Sequence, residues 1–213
     1  NGVQSMGIGT SLKHFVANNQ ETMRMVVNAC IDERTLRELY LKPFEIAVKT
    51  AQPWTVMCSY NKVNGQYLSE HTRMLQDILK DEWNHQGLVV TDWGACNDRV
   101  MGINAGQDLE MPGSNGMNDT FIVNAVRTGT IEEEILNQRV EEVLDLIIRS
   151  NVTLQQEKII YDKEKHHEFA RQVAAESIVL LKNKDDILPL SPTTKIGLIG
   201  EFAVSPRYQG SGS

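Results

Sequence analysis

The residue in this chain best suited to chemistry is Asp92, which stands directly after the apolar run Leu88–Thr91. The large aromatic ring of Trp93 follows it, and Gly94 then allows the backbone to turn away. A carboxylate held at the end of a buried strand can act as a nucleophile, because the strand fixes its position and the neighbouring ring sets its solvation.

Polar side chains also accompany two predicted strands upstream. Lys13 and His14 lie near the end of a predicted strand over Gly9–Phe15, and Tyr60 directly follows another over Thr55–Ser59. Because the carboxyl ends of parallel strands meet at one edge of a sheet, these side chains are predicted to form one site with the aspartate.

The elements that must position these residues alternate between strand and helix. The run Leu88–Thr91 is almost wholly apolar, which is typical of a parallel strand covered on both faces. A fourth short strand is predicted around Leu109, between Asp108 and Glu110, two carboxylates that we interpret as structural. Polar groups at the ends of four strands favour a barrel over a doubly wound sheet, so we predict an α/β fold containing part of a (β/α)₈ TIM-like barrel.

The predicted barrel is incomplete. A complete one takes about 200–250 residues, whereas residues 1–150 supply roughly four strand–helix units and are expected to form the C-terminal half of the barrel. A linker is predicted over 151–165, and 166–213 are expected to begin a second, incomplete α/β domain with its first strand at Lys195–Gly200. The missing half of the barrel must come from further residues, a partner chain or another copy.

Composition narrows the possible partners and the compartment. The net charge of −7, from 21 basic and 28 acidic residues, argues against non-specific binding to nucleic acid. No stretch approaches the roughly 18 apolar residues of a membrane helix, so no membrane partner is expected. Three cysteines, an odd number, favour a reducing compartment, and with no signal peptide visible at Asn1 a cytoplasmic location is the expectation.

Several ordered motifs resemble glycoside hydrolase family 3, and in particular its β-glucosidases. The match is collinear over nearly the whole chain, which makes it far more specific than one motif. A further stretch, Ala174–Asn183, is similar to the entry into the α/β sandwich domain of that family. The barrel segments that carry the resemblance are Lys13–Glu21, Met57–Asn61, Val89–Trp93 and Gly106–Gly113.

The resemblance implies a role for each matching residue. Asp92 would be the catalytic nucleophile, and the acid/base glutamate of the family would lie beyond the end of this chain. An aspartate and an arginine that grip the sugar in the family would lie upstream of Asn1. The residues that the resemblance assigns to sugar binding are Lys13, His14, Tyr60, Met57 and Trp93.

The expected activity is that of a retaining β-glucosidase, which removes terminal non-reducing β-D-glucosyl residues from β-glucosides or oligosaccharides. Such an enzyme uses two carboxyl groups about 5–5.5 Å apart, one of which forms a covalent glycosyl-enzyme. Lys13, His14 and Tyr60 would keep the nucleophile ionised. No metal or other cofactor is expected.

Three alternatives remain at this stage. The segment Val16–Asn19 differs from the Gly- and His-rich continuation of family members that cleave N-acetylglucosaminides, which leaves a β-xylosidase as the nearest alternative. A non-catalytic fragment of such an enzyme is the second. A metal-dependent hydrolase using His14, His71 and Asp92 is the third, although the chain lacks a His-x-His pair.

Overall fold

A computed structural model of the chain describes residues 1–155 and 160–207. The chain divides into two compact units, Asn1–Lys158 and Ile159–Ser213. The strands are β1 Ser11–Phe15, β2 Asn28–Ala29, β3 Thr55–Cys58, β4 Lys62–Val63, β5 Gln66–Tyr67 and β6 Leu88–Thr91.

The helices of the first unit include both α and π geometry. Two π-helical segments, Leu36–Tyr40 and Arg73–Glu82, and two 3₁₀ turns, Gln4–Met6 and Leu68–Glu70, complement the α-helices. None of the helices that the structure describes is both long and apolar enough to cross a membrane. The α-helices of this unit are α1 Glu33–Thr35, α2 Lys42–Ala51, α3 Arg99–Ala105, α4 Met117–Arg127 and α5 Glu133–Leu154.

The main sheet is wholly parallel, with the strand order β1-β3-β6. A fourth position continues the sheet through one parallel bridge between Val90 and Leu109. The strand predicted around Leu109 is therefore reduced to one bridge, because Asp108 bonds Val89 through both its backbone and its side chain, and Pro112 has no N–H to donate. Parallel strands that alternate with helices confirm the predicted α/β class.

A small second sheet lies on the carboxyl-end side of β3. Its strands follow the order β2-β4-β5, and β4 and β5 form a hairpin. Asn64 and Gly65 occupy the turn with φ of 49° and 96°, a left-handed conformation that asparagine and glycine adopt most readily. These two residues therefore let the chain reverse between β4 and β5.

The hydrophobic core lies between the main sheet and the helices that follow its strands. Phe15 at the end of β1 packs edge-on against Phe44 of α2 and Trp83, with ring centroids 5.3 and 6.1 Å apart. All four residues of β6 are buried, as its apolar sequence predicts. This packing fixes the ends of the strands at which the polar side chains begin.

The second unit contains a longer helix, α6 Lys163–Ser177, a 3₁₀ turn Lys184–Asp186 and a short helix, α7 Glu201–Val204. The strand predicted at Lys195–Gly200 is wrong for this structure, because a strand needs a hydrogen-bonded partner and the described residues of this unit offer none. The predicted second α/β domain thus stays a prediction, and 208–213 lie outside the described residues.

The boundary between the two units falls within the predicted linker over 151–165, but helices extend into both ends of that range. Helix α5 continues to Leu154, and α6 begins at Lys163, where the carboxylate of Asp162 caps it by accepting backbone N–H groups. A capping aspartate starts a helix earlier than the apolar pattern alone indicates. Residues 156–159 of the predicted linker lie outside the described part of the chain.

Candidate active site

Asp92 stands immediately past the end of β6, where its backbone still follows the sheet. Its N–H donates to the carbonyl of Cys58 in β3 at 3.2 Å, which fixes the height of the residue at the carboxyl end of the strands. Its side chain is 13% exposed, so the carboxylate is mostly desolvated but still accessible. The prediction that this residue lies at the carboxyl end of a buried strand is confirmed.

Two hydrogen-bond donors and a histidine surround the Asp92 carboxylate. Its Oδ1 atom accepts the phenol O–H of Tyr60 at 3.1 Å and the backbone N–H of Trp93 at 2.7 Å. On the other side, Nε2 of His14 lies 3.3 Å from Oδ2. The structure therefore brings together four of the predicted site residues, from β1, from the end of β3 and from the end of β6.

The pKa shifts of the histidine and the tyrosine both favour the neutral forms. Burial lowers the pKa of His14, the nearby Lys13 cation lowers it further, and the negative charge of Asp92 opposes both only in part. Burial also raises the pKa of Tyr60, and the Asp92 carboxylate adds a smaller upward shift. Neutral groups can bind polar ligand atoms without cancelling the charge of the carboxylate.

Tyr60 connects the carboxylate to the loop that follows it. The same O–H group lies 2.9 Å from the carbonyl oxygen of Trp93 as well as 3.1 Å from Asp92, so it can serve both acceptors. The guanidinium of Arg24 lies over its ring, 5.0 Å from the ring centroid, and pairs with Glu21 at 3.1 Å. Sequence reasoning missed Arg24, because it sits in an irregular segment with no periodic pattern.

The remaining predicted residues occupy the rim and the floor of this region. Lys13 is exposed. Within the described residues it forms no ion pair with Asp92, so it does not contact the carboxylate directly. Met57 is buried in β3 opposite Val90 of β6. The side chain of Trp93 is 53% exposed and presents an indole face to solvent.

The other carboxylates near the strand ends are already engaged. Asp108 pairs with Lys80 and Arg139, and Glu110 accepts from the amide of Asn118 at 2.7 and 2.9 Å. Neither is free to act as a second catalytic carboxyl. Their interpretation as structural residues agrees with these contacts.

The alternative of a metal-dependent hydrolase lacks its ligands. Within residues 1–155 and 160–207, no group of three or more His, Cys, Asp or Glu side chains is arranged to hold a metal ion. His71 is buried behind the β4–β5 hairpin, and burial lowers its pKa.

Comparisons with known proteins identify the relatives of this arrangement. The sequence profile of the Glycosyl hydrolase family 3 N terminal domain matches residues 1–146. The thermostable beta-glucosidase B of Acetivibrio thermocellus is 58% identical over 212 residues, which cover 100% of this chain and 28% of that protein. An exo-α-(1→6)-L-arabinopyranosidase of Bifidobacterium longum is 49% identical over 221 residues, which cover 100% of this chain and 29% of that protein.

A solved structure shows the same fold. The crystal structure of a GH3 beta-glucosidase from Bifidobacterium adolescentis matches with a TM-score of 0.82 and 52% sequence identity, covering 98% of this chain and 31% of that one. The chain therefore spans less than a third of the length of these relatives. The site residues, from Lys13 to Trp93, all fall within residues 1–146, the part of the chain that matches the family profile.

Proposed function

The chain belongs to glycosyl hydrolase family 3, and on that premise we propose that it carries the nucleophile of a retaining β-glucosidase, Asp92. The observation that supports this most strongly is the surroundings of its carboxylate. Tyr60, the backbone of Trp93 and His14 all face it, and the lowered pKa of His14 favours an uncharged imidazole there. A desolvated, ionised and accessible carboxylate is what the first step of the reaction requires.

The two carboxylate oxygens of Asp92 have different surroundings. Oδ1 accepts two hydrogen bonds, which hold it in place, whereas in the described part of the chain Oδ2 has the imidazole of His14 as its one polar neighbour and accepts no assigned hydrogen bond. We propose that Oδ2 attacks the anomeric carbon of the sugar. The C–O bond to the leaving group breaks as the new C–O bond to the aspartate forms, and water later releases the sugar with its anomeric configuration retained.

The sugar would be held by the neighbouring side chains. His14 and Lys13 offer donors for hydroxyl groups, and the exposed indole of Trp93 offers a flat apolar face for the C–H surface of a pyranose ring. The guanidinium of Arg24, fixed beside Tyr60, adds a further donor to this side of the site. Met57 would contribute apolar contact from the floor.

The acid/base carboxyl must come from elsewhere. In the part of the chain that the structure describes, the carboxylates closest to the strand ends are engaged in ion pairs or hydrogen bonds. Because the chain spans only 28% of the Acetivibrio relative, we propose that further residues of the same polypeptide supply this group and the remaining barrel strands. A partner chain or a second copy are the alternatives.

Relatives with different names leave the sugar to be determined. Two of the compared proteins are named beta-glucosidases, which favours glucose. The relative named an arabinopyranosidase acts on a pentopyranose, a sugar without a hydroxymethyl group. A pentopyranosidase, either β-xylosidase or α-L-arabinopyranosidase, is therefore the second candidate.

A panel of 4-nitrophenyl glycosides tests this proposal on the complete protein. We expect the highest kcat/KM for the β-D-glucopyranoside, and proton NMR of the first product to show β-glucose before mutarotation. A preference for the β-D-xylopyranoside or α-L-arabinopyranoside would select the second candidate. Initial formation of α-glucose would contradict the covalent role of Asp92, and no hydrolysis of any member would support a non-catalytic role.

A further inference from the structure

A second carboxylate near the site is buried without a counter-ion. Glu70 ends the 3₁₀ turn Leu68–Glu70, is 8% exposed, and forms no ion pair within the described residues. Its Oε1 atom accepts the backbone N–H of Asp98 at 2.7 Å. Burying a carboxyl group without a counter-ion costs free energy. We therefore expect its hydrogen bonds to hold a neighbouring segment of the backbone in place.

The segment that Glu70 holds is the loop that follows the nucleophile, 93–98. At its start, the O–H of Tyr60 holds the carbonyl of Trp93, and the N–H of Gly94 donates to the carbonyl of Met111 at 3.0 Å. At its far end, the carboxylate of Glu70 is the side-chain acceptor for the backbone of Asp98. The loop is therefore fastened at both ends by groups outside it.

The orientation of Trp93 depends on this loop more than on packing. Trp93 as a whole residue is 53% exposed, so neighbouring side chains constrain it only weakly. The position of the ring must then follow the backbone that carries it. A displacement of about 1 Å in a substrate-positioning group can lower the rate about a hundredfold.

We propose that Glu70 is a positioning residue that sets the sugar-binding face of Trp93 by fixing the 93–98 loop. This inference rests on the proposed glycosidase function. Glu70 itself touches no substrate. Burial raises the pKa of its carboxyl, and the N–H groups of Asp98 and Asn97 oppose this rise only in part.

A purely structural role would act through the start of α3 instead. The side chain of Asp98 caps this helix by accepting the N–H of Met101 at 2.9 Å, independently of the N–H that it gives to Glu70. Asp98→Ala removes the cap but keeps the bond to Glu70. This variant is therefore the matched control for any loss that comes from loosening the helix.

The experiment compares kcat and KM for an aryl β-glucoside in the complete protein and its variants. For Glu70→Ala we expect KM to rise at least about tenfold, within the range that misplaced binding groups cost. Glu70→Gln, which keeps a carbonyl acceptor, is expected to restore most of the affinity. Asp98→Ala is expected to lower the melting temperature with KM changed less than twofold. Should Glu70→Ala not fold, Glu70→Asp, with a shorter side chain, must show the same direction.

A double-mutant cycle with Trp93→Ala decides whether Glu70 acts through the indole. If it does, Glu70→Ala has little further effect on KM once the ring is absent. Additive effects, an unchanged KM in Glu70→Ala, or an equal rise in Asp98→Ala would each overturn the proposal while the glycosidase function stands. A lack of glucoside hydrolysis by the unmodified protein would overturn both.

Discussion

Asp92 and Asp108 both border β6, yet their carboxylates have opposite surroundings. Asp92 follows the carboxyl end of the strand, whereas Asp108 lies beside Val89, near its start. Asp108 is fully buried, with Lys80 at 2.9 and 2.8 Å and Arg139 at 3.1 Å. It also accepts the N–H of Val89 at 2.6 Å. Asp92 is partly accessible. Among the described residues, it accepts from Tyr60 and the backbone of Trp93, faces His14, all at 2.7 to 3.3 Å, and pairs with no Lys or Arg.

The difference shows how one residue type serves two purposes in a single sheet. Two cations and a backbone donor occupy both oxygens of Asp108, so it has no room for a substrate and its charge is compensated. It joins β6 to the π-helical segment Arg73–Glu82 through Lys80, and to α5 through Arg139. Neutral donors leave the charge of Asp92 in place, and partial exposure leaves one oxygen within reach of a ligand.

The largest effect is expected at the accessible carboxylate. Asp92→Asn should lower kcat/KM for an aryl β-glucoside by about 10⁵- to 10⁶-fold, the order seen when an enzyme loses its covalent nucleophile. The melting temperature should change little, because the carboxylate supports no ion pair with Lys or Arg. If Asp92→Asn keeps more than about a tenth of kcat/KM, Asp92 is not the nucleophile, and it does not differ from Asp108 in catalytic role.

The buried carboxylate should show the reverse pattern, a loss of stability. Asp108→Asn leaves Lys80 and Arg139 without their counter-charge and should lower the free energy of unfolding by about 3–5 kcal/mol, measured by urea denaturation. Glu142→Gln is the matched control, since Glu142 lies 3.6 Å from the same lysine but at a more exposed position. Its cost should stay below about 1 kcal/mol. Equal losses in the two variants would contradict the account.

The buried region should also be sensitive to acid. His85 lies near Lys80, is 4% exposed, and burial lowers its pKa from 6.5 to about 4. The unfolded chain therefore binds this proton at a higher pH than the folded protein, and stability is lost as pH falls from 6.5 towards 4. The full loss is about 3 kcal/mol, from about 1.4 kcal/mol for each unit of pKa.

His85→Gln should remove this part of the pH dependence, measured as the urea midpoint at a series of pH values. The exposed His167 offers a control substitution, His167→Gln, that should leave the dependence in place. If the urea midpoint of His85→Gln depends on pH as steeply as that of the unmodified protein, protonation of His85 does not destabilise the fold.

The smallest expected effect concerns a neutral donor at the accessible site. Tyr60→Phe removes the O–H that reaches Asp92 and the carbonyl of Trp93. A hydrogen bond to a charged group is worth about 1.5–3 kcal/mol, so kcat/KM should fall about ten- to hundredfold. Tyr67→Phe, in the β4–β5 hairpin, is the control and should be nearly silent. A silent Tyr60→Phe would mean that the phenol only packs.

Local sequence patterns predicted the strands and the residues at their ends. The apolar run of β6 and the polar residue after it placed Asp92 correctly, because burial on both faces is visible in the sequence itself. The same reasoning placed His14 in β1 and Tyr60 just past β3. The strands predicted around Leu109 and at Lys195–Gly200 do not form as predicted, because pairing depends on partners that a local pattern does not contain.

Contacts between distant elements could not be predicted in this way. The network around Asp108 joins Lys80 from the π-helix and Arg139 from α5, two helices with no shared motif. Arg24 and Glu70 act from segments without a periodic pattern. Each of these residues becomes recognisable only once the sheet brings its elements together.

The central claim is that an oxygen of Asp92 forms a bond to C1 of the sugar. Treating the complete protein with a 2-deoxy-2-fluoro-β-D-glucosyl inactivator and mapping the labelled peptide by mass spectrometry tests it directly. We expect one sugar attached to the peptide that contains Asp92, and no attachment in Asp92→Ala. A label on another carboxylate, or turnover of the glucoside without any covalent intermediate, would contradict it.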